Sequence, residues 1–214
     1  MRAVVLSLWA VMAAGAASAQ TPAPIQMPVD CQIDARSVEG GRLEVFTTRY
    51  DGDAAVAEQI TWHPPVSQAS GAPLDLSYSY EMSSPTGDMG RDISAPLGKP
   101  RDAYVEMPLG AASPDHLRAR VSGDGVTPRI FAGAMGDEIT GTVDIGLAEK
   151  GFDVPIADGL ADWHQVRIDM LDADKTVGSA TFDVTAVKGR DALMAYARHL
   201  VSVSDPRVCR RKSL

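Results

Sequence analysis

Strict alternation of apolar and polar residues constrains this chain more than any other feature. In "LDLSYSYEM", Leu74, Leu76, Tyr78, Tyr80 and Met82 share one phase, while Asp75, Ser77, Ser79 and Glu81 share the other. A side-chain period of two belongs to a β-strand with one face on a core and the other toward water. The pattern recurs in "AYVEMPL" (Ala103, Val105, Met107, Leu109), "LRARVS" (Leu117, Ala119, Val121) and "ITGTVDIGL" (Ile139, Val143, Ile145, Leu147). It returns in "HQVRIDM" (Val166, Ile168, Met170) and "GSATFDV" (Ala180, Phe182, Val184), and less cleanly in "RLEVFTTRY" and "VAEQITWH". Turn-forming stretches such as "YDGD", "SSPTGD", "SGDG" and "DADK" separate these segments. Strands wetted on one side favour antiparallel pairing. The expectation is an all-β antiparallel β-sandwich, or partly open barrel, of about eight strands.

One segment departs from this period. In "VKGRDALMAYARHLV", Leu193, Tyr196, Ala197 and Leu200 recur at helical spacing. That spacing predicts a C-terminal α-helix over 188–201 with its apolar stripe on the sheets.

The chain opens with Met1 and Arg2, continues with the apolar "AVVLSLWAVMAAGA", and reaches Ala17-Ser18-Ala19. A charged start, a short apolar run and an A-x-A end read as a signal peptide over 1–19, cleaved near Ala19. The apolar run falls short of the roughly 20 residues that span a bilayer. Gln20, where a lipid anchor needs cysteine, argues against a lipoprotein. The expected location is the periplasm or the exterior, with no membrane span in the mature protein. The absence of Asn, and 15 Arg against 5 Lys, suggest a GC-rich bacterial gene.

Residues 20–40 hold Pro22, Pro24 and Pro28 and read as an extended arm. Residues 41–209 read as a single β-rich domain and 210–214 as a basic tail. The only cysteines are Cys31 and Cys209, with no C-x-x-C and no histidine beside them. In an exported chain such a pair is expected to form a disulfide. Closing so long a loop stabilises by about 5 kcal/mol in the chain-entropy model.

A net charge of −8 disfavours phosphate backbones, so no nucleic-acid partner is expected. Of the four histidines, alternation turns His63 and His116 outward and leaves His199 off the helix stripe. It places His164 alone in the buried phase. Trp62-His63 and Trp163-His164 repeat a rare dipeptide beside turns, where binding residues collect, and are candidate ligand-binding residues in a shared cleft. Asp169, Asp172 and Asp174 offer hard oxygen atoms for calcium, against the simpler reading of a hairpin turn. From Gly136 to Asp174 ten acidic residues face two basic ones, a strip that suits cations or a basic partner. No nucleophile elbow, zinc-protease, P-loop or dinucleotide motif is present, so no cofactor and no catalytic residue is assigned.

The strand–Gly–helix–Cys ending, from "TFDV" at Thr181 to Cys209, resembles small exported bacterial proteins of the invasion-associated type. No residue role follows from that resemblance. The reading of best fit is a non-catalytic periplasmic binding or interaction module whose partner is an envelope protein or a small ligand. Two alternatives stand beside it. One is a small exported hydrolase or metal-dependent enzyme built on the Trp-His segments. The other is a cation-binding envelope protein.

Overall fold

The computed structural model describes residues 28–49, 53, 55–81, 91–97, 100–110, 114–123, 126–147, 164–184 and 187–212. The expected signal peptide, residues 20–27 of the expected arm, Met82 and Trp163 lie outside them. In chain order the strands begin β1 (Val29–Arg36), β2 (Arg42–Arg49), β3 (Val56–His63), β4 (Val66–Gly71) and β5 (Asp75–Glu81). Next come β6 (Arg91–Asp92), β7 (Asp102–Pro108), β8 (Leu117–Gly123), β9 (Val126–Ala132) and β10 (Met135–Asp137). Then follow β11 (Thr142–Gly146), β12 (Gln165–Asp172), β13 (Lys175–Asp183), helix α1 (Val187–Ser202) and β14 (Cys209–Arg211).

The strands form two antiparallel sheets. The large one runs β10-β11-β7-β5-β3-β2-β1-β14, with β6 paired to the start of β3, and the small one runs β4-β13-β12-β8-β9. Among the described residues fourteen strands stand, where about eight were expected. The surplus includes β6, β10 and β14, each of three residues or fewer and too short to show a period.

Alternation decides the layers. Leu43, Leu76, Val105, Val143 and Ile145 from the large sheet and Ala119, Val166, Ile168 and Phe182 from the small one are fully buried. They belong to a single core cluster. The architecture is an open sandwich, as the strand pattern predicts. Chains cross from the large sheet to the small one at Pro64-Pro65, between β3 and β4. The chain returns before β5, crosses again between β7 and β8, and returns once more at Gly133-Ala134, between β9 and β10. Gly133 has φ +95°, a conformation that glycine takes at little cost.

Helix α1 covers the inner side of β1 and β2. Leu193, Met194, Ala197, Leu200 and Val201 are buried, whereas Tyr196, expected in the stripe, is 47% exposed. The buried stripe is thus rotated toward Met194 and Val201. Ile139, expected inside a strand, is also exposed because it lies in the turn between β10 and β11.

Residues 29–36, within the expected arm, form a strand paired on both sides, by β2 and by β14. Cys31 and Cys209 stand directly opposite each other and are joined as a disulfide across a sequence separation of 178. The start of the expected basic tail is β14 itself, and Lys212 reaches Asp30 at 2.9 Å.

Candidate functional site

Outward-pointing residues of the large sheet assemble a charged row that no single strand reveals. In β5, β7 and β11, Asp75 is register partner of Glu106, and Glu106 of Asp144. Three carboxyl groups therefore stand side by side on adjacent strands, where directly opposed residues have Cβ atoms about 5 Å apart. Like charges at such positions oppose pairing. Burial pushes the Glu106 carboxyl above its ordinary value, and Asp144 and Asp75 add to the rise against the pull of His63 and Arg42. Burial likewise raises Asp144, helped by Asp137 and partly offset by contact with Glu106. The Oδ1 atom of Asp144 is buried without a hydrogen-bond partner among the described residues.

At the other end of the row His63 closes β3. Its outward direction follows the alternation, but it is only 9% exposed. Neighbouring side chains cover it, so an outward phase did not mean contact with solvent. Nδ1 lies 2.8 Å from Asp75 Oδ2, and since a carboxylate accepts, Nδ1 carries the proton. Arg42 Nη2 lies 3.4 Å from Nδ1 and 3.3 Å from Nε2, distances so similar that the guanidinium rests against the ring. Arg42 also meets Glu44 at 3.1 Å and Asp75 at 3.4 Å. The far nitrogen, Nε2, faces Glu44 Oε1 at 3.9 Å. His63–Asp75 is thus half of a nucleophile-activating triad, with a guanidinium and a carboxylate where the chemistry would need a hydroxyl or thiol.

The same face continues to β1 and β2, where Gln32, Asp34, Glu44, Phe46 and Gln59 line an open groove of about 250 Å³. Across the face, the carboxylates Asp30, Asp34, Glu44, Asp75, Glu106 and Asp144 outnumber the cations Arg36, Arg42 and Arg210. A second hollow, of about 280 Å³, lies beside α1 between Leu97, Met194, Arg190 and Arg198. Its guanidinium groups are committed: Arg190 to Tyr80 and Asp191, Arg198 to the carbonyls of Ile93 and Ala95.

Backbone hydrogen bonds bring the two Trp-His segments close to each other. Asp183 N donates to Pro65 O at 2.9 Å and Val184 N to His164 O at 3.2 Å, so both segments flank the end of β13. The Trp163 side chain lies outside the described residues, and those of Trp62 and His164 differ in burial. Trp62 is 3% exposed and points into the core. A Cβ on Gly41 would sit 2.3 Å from its indole, so only glycine fits beneath that ring. His164, expected in the buried phase, is exposed because it precedes the first residue of β12, where the alternation begins.

The three aspartates separate as well. Asp169 is 5% exposed and lies on the outward side of the small sheet. Arg120 Nη2 donates to its Oδ2 at 2.8 Å, Arg167 Nε to its Oδ1 at 3.1 Å, and the Ser179 hydroxyl also donates to Oδ1. Burial pushes this carboxyl up, but those hydrogen bonds outweigh it and hold Asp169 below the ordinary range. Asp172 ends β12 and Asp174 lies in the turn to β13. Among the described residues, no three His, Cys, Asp or Glu side chains converge as a metal-binding set. No helix among them is long and apolar enough to cross a membrane.

No family model, no curated protein and no solved structure matches the chain.

Proposed function

We propose that the chain is an exported, non-catalytic binding module whose contact surface is the outward face of the large sheet. The observation that carries this reading is the register of Asp75, Glu106 and Asp144. A sheet gains nothing from three aligned carboxyl groups, and such perturbed groups collect where a ligand is met. The partner that this chemistry fits brings ammonium or guanidinium groups, as a basic segment of an envelope protein does. His63, clamped between Asp75 and Arg42, fixes the edge of the row. Export is supported by the leader-like start of the sequence and by the disulfide, which persists in oxidising compartments.

Calorimetric titration of the disulfide-bonded protein with an oligolysine peptide tests the reading. Binding that weakens with salt, and weakens at least about tenfold in a Glu106→Gln/Asp144→Asn double variant, is the expected result. Equal binding by wild type and double variant, or no binding at low salt, would reject it.

A further inference from the structure

We propose that β4 is a docking edge at which two copies of this chain pair antiparallel about a two-fold axis. A strand at a sheet margin presents unpaired N–H and C=O groups, and folded proteins blunt such margins with short length, charge, proline or a bulge. Among the described residues, β10 and β14 bound the large sheet and β4 and β9 the small one, and β6, of two residues, pairs on one side only. β10 and β14 have three residues each, and β14 exposes Arg210 and Arg211. β9 contains Pro128 and Arg129. β4 reads "VSQASG": six residues, every one exposed, with no charge and no proline.

Its one irregularity is at the start. Val66 pairs with Phe182 and Gln68 with Thr181, which leaves Ser67 as a bulge. From Gln68 to Gly71 the ladder is regular. Ala72 N donates to Val177 O at 3.0 Å, and bonded and non-bonded pairs alternate along an antiparallel ladder. Ser70 and Gln68 therefore bond to β13, and the N–H and C=O of Ala69 point to the open side.

The occupant that fits is a second copy. Residues 64–74, "PPVSQASGAPL", hold no ionisable side chain in a chain of net charge −8. Two like-charged molecules approach at least cost where neither carries charge. Peptides captured by strand addition are selected by pockets for alternate side chains. The exposed, mostly small side chains of β4 offer no such enclosure. A two-fold through Ala69 sets Ala69 against Ala69 as a hydrogen-bonded pair and Gln68 against Ser70, gives both copies the same contacts, and joins two small sheets into one.

Sedimentation velocity on the disulfide-bonded chain over a range of concentrations tests this. The expected result is a monomer–dimer equilibrium. Ala69→Lys places a charge on the edge, and Ala69→Pro removes the free N–H without touching those that bond to β13. Each should raise the dissociation constant at least about tenfold while the far-UV spectrum stays unchanged. Glu44→Lys, on the other sheet, should leave the equilibrium unaltered. A chain that sediments as a monomer throughout overturns the proposal. So does a dimer untouched by Ala69→Lys, or one lost on Glu44→Lys.

Discussion

Glu106 and Asp144 face each other directly across β7 and β11 on the outward side of the large sheet. Both carboxyl groups are pushed above their ordinary values of 4.5 and 3.8, first by burial. An acid whose folded-state value is raised contributes stability below its unfolded value and loses it as pH rises through the folded one. The wild-type protein should therefore lose stability from mildly acidic to neutral pH. Glu106→Gln should recover about 0.5 kcal/mol at neutral pH, a small gain because both groups are partly solvated. Urea denaturation across that interval checks this, and a wild-type curve without the decline contradicts it.

Asp169 has the opposite sign. Its carboxyl is held down in the folded state, so its contribution is present above the ordinary value of 3.8 and disappears as pH falls toward the folded one. Removing it strands the Ser179 hydroxyl and two guanidinium groups that are about half exposed and can be rehydrated. Asp169→Ala should cost about 2 kcal/mol in denaturant unfolding at neutral pH.

Ala173 sits at φ +52° in the turn between β12 and β13. A non-glycine residue there carries a steric penalty that glycine escapes. Ala173→Gly should stabilise by about 0.5–1 kcal/mol, net of the greater freedom glycine gives the unfolded chain. A lower urea midpoint than wild type would contradict this.

The disulfide holds a strand of only three residues. A Cys31→Ala/Cys209→Ala variant should lose about 3–5 kcal/mol by the loop-entropy argument. Hydrogen exchange should quicken first at Cys31 and Asp30, whose register partners are on β14.

The inward phases were legible because a period of two is local. Leu76, Val105, Val143 and Phe182 needed only their neighbours in sequence to be placed in the core. The charged row was not, because it depends on register between strands. Nothing near Asp75, Glu106 or Asp144 indicates that they share one level. His63 shows a subtler loss: its direction was readable, but its cover comes from Arg42 and Asp75, on other strands. His164 was misjudged because alternation was extended one residue past the start of β12. Tyr196 fits the spacing of the helix stripe yet lies at its margin, and only the placement of α1 against β1 and β2 exposes it.

Pairing β1 with β14 ties the earliest described strand to the latest. A ribosome makes Cys31 long before Cys209 exists, so the far side of β1 must wait, uncommitted, until that stretch has been made. A chain cut before Cys209 would lack the strand that pairs with that side of β1 and would leave Cys31 an unpaired thiol. The seam therefore closes only on chains that have been made through β14.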